Sequence, residues 1–290
     1  MDWWIWAIVL AVAGDLAITL LVLAYLRKGR RLIKRLRREE GPPPATALPD
    51  LARTYAERAG AVAEAPGLIR IVQRCQMRFQ PDGSWHEIKA TSTMSARRPG
   101  FVWLARLKVG PLSLIAIVDA LVAGRGTMQA RLLSLVPLAS AKGDDSDRAQ
   151  LLRYLGELPW APDALLHNGA LSWRVLGDRE LEVTAPSAAG EARLRLFFDE
   201  AGDIVRVSAD DRPRASDGAL RPTPWEGTFS DYRQIGQRRL PAKAEVAWLL
   251  AEGRFVYWRG EITDWRTERP GRTRLARRPH QQPDDEAEDR

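Results

Sequence analysis

The chain has few of the residues from which metal sites and covalent catalytic sites are built. Its 290 residues include one cysteine, Cys75, and three histidines, His86, His167 and His280. One cysteine excludes an internal disulfide framework, and so few histidines exclude a cysteine–histidine metal cage. The patterns HExxH, GxSxG, GxGxxG and the P-loop are all absent. We therefore expect no metal, no cofactor and no catalytic residue that the sequence marks.

The chain also lacks a basic folded domain, although its formal net charge is +7. Residues 41–265 contain 29 basic and 27 acidic residues, whereas residues 27–40 contain eight basic and two acidic residues. A nucleic-acid-binding domain would need a basic face, so no nucleic-acid partner is predicted. The positive charge belongs to a short segment, for which anionic lipid headgroups are the simpler partner.

The longest apolar run lies in residues 3–26 and contains one charged residue, Asp15. At about 1.5 Å per residue, a helix of this length spans about 36 Å, more than the roughly 30 Å hydrocarbon core of a bilayer. Its ends carry aromatic residues typical of membrane interfaces, namely Trp3, Trp4, Trp6 and Tyr25. A cleaved signal peptide would need a basic start and a small-residue cleavage site, and both are lacking. We predict a single transmembrane helix over residues 3–26.

A basic juxtamembrane segment follows at residues 27–40. Its cations are predicted to contact the membrane surface, and they are Arg27, Lys28, Arg30, Arg31, Lys34, Arg35, Arg37 and Arg38. Leu32, Ile33 and Leu36 form a small apolar face, with which the segment could lie flat on the bilayer. The positive-inside rule predicts a single-pass protein of the bacterial inner membrane with a cytoplasmic domain, and the periplasm is the alternative.

The apolar run also has features of a helix that associates with a second copy. Asp15 costs about 3 kcal/mol near the centre of a bilayer on insertion scales, which a partner would reduce. Small residues spaced four apart allow two helices to pack closely, and they are Ala7 and Ala11, then Ala13 and Ala17. Self-association through this helix is therefore a hypothesis, and a tolerated, protonated Asp15 is the alternative.

Composition divides the rest of the chain into three parts. GPPPATALP (41–49) is a linker, because consecutive prolines cannot continue a helix. Residues 50–265 form one domain, in which Asp50 caps a short helix that Gly60 closes. Residues 266–290 are charged and nearly free of apolar residues, so a disordered tail is predicted.

Alternating apolar and polar residues predict strands through most of this domain. We expect single strands at 112–122 and 127–138, a surface loop containing prolines at 209–224, and strict alternation of two faces over 253–265. The order of these segments favours a meander of adjacent antiparallel strands.

The strand pattern is interrupted by RYLGELPWAPDALL (153–166). Its helical periodicity stops at Pro159 and resumes at Pro162, which predicts a helix–corner–helix insertion. The predicted fold class is therefore α+β, with an N-terminal transmembrane helix followed by one mainly antiparallel, curved β-sheet domain with a short helical insertion.

Two acidic residues and several aromatic residues are candidates for a binding site. Asp119 interrupts an apolar strand, where a charge is paired, faces solvent or lines a pocket. Glu157 either pairs with Arg153 four residues earlier or contacts a ligand, and Trp160 is expected to pack the corner. Because a curved sheet with an aromatic face suits an apolar ligand, the candidate ligand-binding residues are Asp119, Glu157, Trp160, Trp225, Tyr232, Trp248 and Trp258.

Several motifs together resemble an uncharacterised bacterial family with an N-terminal membrane segment and one domain of unknown function. They are GFVWLARLKVGP (100–111), VDALVAGRGTM (118–128), RYLGELPWAPDAL (153–165), TPWEGTFSDYRQIGQRRLPAKAEVAW (223–248) and YWRGEIT (257–263). The resemblance covers about residues 50–265 and implies no known activity. More distantly, DYRQIG followed by RLPAKAEV resembles the lipoprotein-carrier fold, which implies a curved antiparallel sheet that holds acyl chains and a periplasmic location.

The leading functional hypothesis is a non-enzymatic, membrane-anchored module that binds a lipid or other hydrophobic molecule on a curved sheet. One alternative is an enzyme that acts on a membrane-proximal substrate through carboxylates such as Asp119 and Glu157. A protein-binding scaffold is the other. The binder needs a deep apolar cavity without converging acids, the enzyme needs at least two polar groups that meet in a cleft, and the scaffold needs an exposed apolar patch without a cavity.

Overall fold

The fold is taken from a computed structural model that describes residues 3–44, 48–109, 112–187, 190–216 and 219–268. Most of the predicted tail, residues 269–290, lies outside the described residues, and the last strand continues to Glu268. Part of the predicted linker, residues 45–47, also lies outside them. The same holds for the side chain of Ala11 in the predicted self-association motif.

Four helices and thirteen strands are present in the described ranges. The helices are α1 (Trp3–Leu36), α2 (Asp50–Arg58), α3 (Asp144–Gly156) and α4 (Pro162–His167), with one 3₁₀ turn at Leu158–Trp160. The strands are β1 (Leu68–Met77), β2 (His86–Ser95), β3 (Phe101–Val109), β4 (Leu112–Val122), β5 (Arg125–Leu132), β6 (Val136–Ala141), β7 (Ser172–Gly177), β8 (Glu180–Ser187), β9 (Gly190–Phe198), β10 (Ile204–Ser216), β11 (Ala219–Ile235), β12 (Arg238–Leu250) and β13 (Gly253–Glu268).

All thirteen strands belong to one curved, antiparallel half-barrel sheet, as the sequence predicted. The chain moves outwards from β1 to β6, crosses the sheet through α3 and α4, and returns from the other edge through β7 to β13. The last strand then pairs with the first, so β1 and β13 lie at the centre. Side chains that are far apart in the sequence therefore meet in the middle of the sheet.

The two faces of the sheet are covered by different helices. On β3, Phe101 and Trp103 belong to the main core with α3, whereas Val102 clusters with Leu36 of α1. This alternation follows from the period of two in a strand. We call the face that carries α3 the inner face and the face that carries α1 the outer face.

The C-terminal part of α1 packs on the outer face of β3 and β4. The Tyr25 hydroxyl donates to the carbonyl oxygen of Ala116 at 3.0 Å, and Leu36 is buried. A Cβ atom at Gly29 would lie 2.7 Å from Leu104 Cδ2, so glycine permits this close approach. The apolar face predicted to lie on the bilayer, formed by Leu32, Ile33 and Leu36, instead packs on the sheet. Within the described residues, no helix is found that is both long and apolar enough to cross a membrane, and the predicted span is not confirmed.

Two local predictions were wrong, each because of a feature of backbone pairing. Residues 127–138 are split between β5 and β6 by a turn in which Leu133 and Ser134 have positive φ. Residues 209–224 are mostly a two-stranded arm, in which Pro213 pairs with Pro222. The pairing recorded between β9 and β10 ends at Ser208, and prolines are tolerated on a strand edge that needs no N–H donor.

The strict alternation predicted for β13 fails at two bulges. Trp258 pairs with Val246 and Val256 with Ala247, so Tyr257 has no opposite residue on β12. Thr263 is likewise skipped in the pairing of β13 with β1. A bulge shifts the strand by one residue, and the buried face therefore changes along β13. The predicted N-terminal cap also differs, since Asp50 is the first helical residue of α2 and Pro49 precedes it.

Candidate functional site

The Pro-Trp-Ala-Pro corner joins α3 to α4 on the inner face. The Trp160 side chain is buried against Phe229 and Trp258, with ring centroids 5.4 Å and 6.2 Å away. Its indole N–H donates to the Pro241 carbonyl oxygen at 3.0 Å, and its own carbonyl oxygen accepts from the Trp265 indole at 2.9 Å. The corner is therefore fixed to β11, β12 and β13 and lies over the centre of the sheet.

A cavity of about 170 Å³ lies beside this corner. Six aromatic side chains line it, and they are Trp103, Trp160, Trp225, Phe229, Tyr257 and Trp258. Small residues leave the space open, because a Cβ atom at Gly156 would lie only 2.7 Å from the Trp225 ring. The cavity thus has aromatic walls contributed by three strands, β3, β11 and β13, and the corner.

The bulge in β13 places two consecutive aromatic residues in the cavity wall. Successive side chains of a regular strand point to opposite faces, yet Tyr257 and Trp258 both line the cavity. Tyr257 is the residue without an opposite partner on β12, which allows its side chain to turn inwards. A β-bulge thus adds a phenol hydroxyl to an otherwise apolar wall.

One end of the cavity is charged. Arg153 of α3 forms an ion pair with Asp119 of β4 and donates from Nε to Glu157 Oε1 at 2.7 Å. The second Glu157 oxygen accepts from the Ser92 hydroxyl at 3.2 Å. The Arg153 guanidinium also lies over the rings of Phe101 and Trp103, 5.0 Å and 4.7 Å from their centroids. Arg153 therefore compensates two buried carboxylates and anchors α3 to the sheet.

Asp119 has one unpartnered oxygen. Oδ2 pairs with Arg153, whereas Oδ1 is buried and has no hydrogen-bond partner among the described residues. Burial raises the pKa of Asp119 above its ordinary value, although the positive charges of Arg153 and Arg212 oppose this change. Asp119 lines the cavity, and Oδ1 is the one oxygen of the two acids that no described group satisfies.

A second cation reaches the cavity from the arm of β10 and β11. Arg212 donates from Nη1 to the Tyr257 hydroxyl at 3.0 Å, and that hydroxyl also accepts from the Trp225 indole at 3.0 Å. The Arg212 guanidinium lies 4.7 Å from the Trp225 ring centroid. The sequence did not indicate Arg212, because the segment around it was predicted to be a loop. Three other residues that line the cavity were also missed, namely Trp103, Gln73 and Tyr257. Nothing in their local sequence pattern distinguishes them from ordinary core residues.

The structure brings five of the seven candidate ligand-binding residues together. Asp119, Glu157, Trp160, Trp225 and Trp258 all line the cavity. Trp248 lies behind the wall and stacks on Tyr257, with ring centroids 5.6 Å apart.

Tyr232, another of the seven candidates, lies outside the cavity lining. Its hydroxyl donates to the Ile204 carbonyl oxygen at 2.7 Å and contacts the Tyr55 hydroxyl of α2. It joins α2 to the sheet and takes no part in the cavity.

The cavity opens towards one end of the strands. Its base is formed by buried residues such as Gln73, Trp103 and Trp160, whereas Met77, Arg212 and Val246 are half-buried. Met77 is the last residue of β1, and Arg212 lies on the arm. The mouth therefore lies near the β1–β2 hairpin and the arm.

A larger groove of about 830 Å³ crosses β2, β1, β13, β12 and β11. Exposed charges of both signs line it, including Arg74, Lys89, Lys243 and Glu87. Charged residues of mixed sign are typical of a solvated sheet surface. We therefore place the candidate site in the aromatic cavity, although the groove is the larger of the two.

Elsewhere the described residues offer little catalytic chemistry. No group of three or more His, Cys, Asp or Glu residues that could hold a metal ion is found among them. The Cys75 thiol is buried, which raises its pKa to about 12 and keeps it protonated. His167 bonds to the Val62 carbonyl oxygen, and the His86 ring packs near Phe79.

Solved structures similar to the chain are remote in sequence. A domain described as an outer membrane lipoprotein-sorting protein from Vibrio parahaemolyticus is 14% identical, with a TM-score of 0.46 over 79% of this chain and 93% of that chain. A LolA superfamily protein from Nitrosomonas europaea is 11% identical, with a TM-score of 0.40 over 75% and 93%. A DUF1329 family protein from Desulfovibrio piger is 11% identical, with a TM-score of 0.45 over 78% and 94%. Because these TM-scores are below 0.5, the likenesses by themselves assign neither ligand nor function.

Sequence comparison assigns the family. No curated protein matches the chain. A family model matches residues 41–260, which is well over half of the chain, and the prediction of an uncharacterised family is confirmed. The chain belongs to DUF6544, a family of unknown function.

Proposed function

We propose that this protein is a non-enzymatic module that binds a hydrophobic molecule in the aromatic cavity of its inner face. The observation that carries the proposal is the cavity itself, about 170 Å³ with six aromatic side chains in its wall. Aromatic walls favour apolar groups, and a few placed polar atoms fix their orientation.

The size of the cavity limits what enters it. An apolar cavity of about 150 Å³ accommodates one benzene ring, so this cavity takes a ring or a short stretch of alkyl chain. Drug-sized pockets begin at about 300 Å³, so a whole phospholipid does not fit. The ligand is therefore a lipid or other hydrophobic molecule that inserts one apolar group and leaves the rest at the mouth.

The charged end of the cavity selects the polar group of the ligand. Asp119 Oδ1 is buried and free to accept, and an unsatisfied buried acceptor costs about 1–3 kcal/mol. A ligand that donates a hydrogen bond removes this cost, and an ammonium group gains further from the aromatic walls. A carboxylate ligand cannot donate to Oδ1, so this cost would remain.

The arrangement of the two carboxylates favours binding over catalysis. Both Glu157 oxygens are engaged, one by Arg153 and one by Ser92, and Asp119 shares the same arginine. An acid–base pair needs two carboxyl groups that can reach a substrate, and here one oxygen remains. The enzyme alternative is therefore the weaker one.

We further propose that residues 3–26 anchor the protein in a bacterial inner membrane. Support comes from the apolar sequence and from exposed side chains on α1, including Leu10, Leu16 and Leu20. Seven of the eight predicted membrane-surface cations are exposed, and Lys28 is half-buried. The basic segment places the domain on the cytoplasmic side by the positive-inside rule, with the periplasm as the alternative.

Titration with three matched probes tests the proposed ligand chemistry. Full-length protein in nanodiscs is titrated by calorimetry with benzylamine, benzyl alcohol and benzoate, which share one ring and differ in the polar group. Benzylamine should bind tightest and benzoate should not bind measurably. Asp119→Asn should weaken benzylamine binding by about tenfold or more, because a hydrogen bond to a charged group contributes about 1.5–3 kcal/mol.

The control variant is Asp264→Asn, which removes an exposed acid of β13. It should leave all three affinities unchanged. If no probe binds wild-type protein, the cavity is not a ligand site. Equal affinities for all three probes would mean that the cavity binds the ring and that Asp119 does not recognise the polar group.

A further inference from the structure

Exposed apolar side chains are concentrated at three hairpin tips of the sheet. They are Phe79 after β1, Val109 and Leu112 at the β3–β4 tip, and Leu133 and Val136 at the β5–β6 tip. Their exposures range from 44% for Val109 to 64% for Phe79, well above those of ordinary packed residues. An apolar group of this size on a surface usually marks an interaction site.

The pairing register places the three tips at one end of the sheet. Ile88 near the start of β2 pairs with Leu107 near the end of β3. Ile115 near the start of β4 pairs with Leu132 at the end of β5. The tips therefore lie side by side and form one surface, which we call the tip surface.

The opposite end of the same strands has a different character. There Met94, Phe101 and Val122 are buried, and the turn between β4 and β5 is Ala123–Gly124. Among the described side chains of residues 68–141, the large exposed apolar ones lie on the tip surface or, in the case of Leu138, on β6 beside it. The exposed apolar side chains of β1 to β6 and their turns therefore lie at one end of these strands, which favours a partner there.

Helix α1 points towards the tip surface. Three contacts give its direction: Leu36 lies against Gly100, Gly29 against Leu104, and Tyr25 against Ala116. Leu104 pairs with Val118, so this order follows β4 backwards from its end towards its start. Continued N-terminally, α1 passes the tip surface.

The helix and the tips reach the same level. From Ala116 to Leu112 is four residues, or about 13 Å along a strand at about 3.3 Å per residue. The same distance is about nine residues of helix at 1.5 Å each, which counts back from Tyr25 to about residue 16. The Leu133 N–H donates to the Leu114 carbonyl oxygen, so Leu133 lies at the level of about residue 20 of α1. Both positions lie inside the apolar run of residues 3–26.

We propose that the tip surface inserts into the lipid bilayer beside α1. The inference rests on the membrane anchoring proposed above and adds a second membrane contact. Leu112 and Leu133 enter the acyl region, while the exposed Arg106 and the basic residues of α1 lie at the level of the anionic headgroups. The mouth of the aromatic cavity lies at the same end of the strands, so a hydrophobic ligand passes between bilayer and cavity without crossing water.

Depth-dependent quenching tests the insertion. Single cysteines that carry an environment-sensitive fluorophore replace Leu112 or Leu133 in the full-length chain with Cys75→Ala. The protein is reconstituted in phosphatidylcholine–phosphatidylglycerol vesicles, with or without brominated acyl chains. Ile18→Cys on α1 is the positive control, since it lies at the depth calculated for the tips. Val175→Cys is the negative control, because it lies at the opposite end of the strands and is 63% exposed, against 58% for Leu112 and 60% for Leu133.

Insertion predicts that brominated lipid quenches the probes at 112 and 133 about as strongly as the probe at 18, and leaves the probe at 175 unchanged. Quenching at 18 without quenching at 112 and 133 would overturn the tip-surface proposal and keep the anchor. Absence of quenching at 18 as well would overturn the membrane anchoring itself. Circular dichroism of each labelled protein verifies that the sheet is intact.

Discussion

At the scale of single residues, Arg153 has the largest role in the candidate site. It pairs with Asp119 and Glu157 and stacks on two aromatic rings, and all of these groups are largely removed from water. The pKa of Arg153 is raised, because burial disfavours its positive charge but the attraction of the two carboxylates more than offsets this effect. The buried acids of the cavity depend on this one side chain.

Arg153→Met should lower the free energy of unfolding by about 3–5 kcal/mol, because it leaves buried carboxylates without a partner. Urea unfolding at neutral pH measures the loss. The deficit should shrink at acidic pH, since protonation of Asp119, whose pKa is already raised by burial, removes an unpaired charge.

The matched control is Arg193→Met, which breaks an exposed pair with Glu191. Such pairs contribute about 0–1 kcal/mol, so its stability should stay close to that of the wild type. Equal losses in the two variants would show that the buried network does not stabilise the fold.

At the scale of elements, the corner between α3 and α4 closes the inner face. It contributes Trp160 to the cavity wall and to the core, and both its indole N–H and its carbonyl oxygen are bonded to the sheet side. The Pro-Trp-Ala-Pro corner therefore has two candidate roles, as a structural joint between the helices and as a ligand contact.

Trp160→Ala should destabilise the protein by about 3–5 kcal/mol, because it removes a buried aromatic side chain and enlarges the cavity. Chemical unfolding gives the value, and Trp173→Ala on the edge strand β7, where the ring is half-buried, should cost less. A variant that loses benzylamine binding but keeps its stability would show that Trp160 is mainly a ligand contact.

At the scale of the whole molecule, α1 is part of the domain as well as its proposed anchor. Residues 25–36 cover the outer face of β3 and β4, where Val102 and Ala120 are buried with Leu36 and with Leu68 of β1. The family model begins at residue 41, after this helix. A domain that begins there would expose an apolar outer face.

Comparison of two shortened chains measures the contribution of α1. A chain that begins at residue 41 should unfold at a lower urea concentration than a chain that begins at residue 25. Each large side chain of the sheet that α1 no longer covers, such as Leu68 or Val102, costs roughly 1.5–3 kcal/mol. Identical unfolding midpoints would mean that the docked half of α1 adds no stability to the sheet.

The sequence by itself determined the local features. The alternation of apolar residues predicted the strands, among them β4 with its observed bounds, and the prolines located the corner. The Glu157–Arg153 pair was also predictable, because residues four apart meet on a helix surface. These features depend on neighbours in the sequence, and periodicity or spacing is enough to indicate them.

The tertiary structure alone decided which residues share the cavity. Asp119 meets Arg153 across 34 positions, and Arg212 meets Tyr257 across 45. The pairing of β13 with β1, and the bulge at Tyr257, follow from packing across the whole sheet. The end of the sheet towards which the N-terminal half of α1 extends is likewise set by the direction in which α1 docks. No local pattern contains these facts, because the free energy that fixes them comes from contacts between segments far apart in the chain.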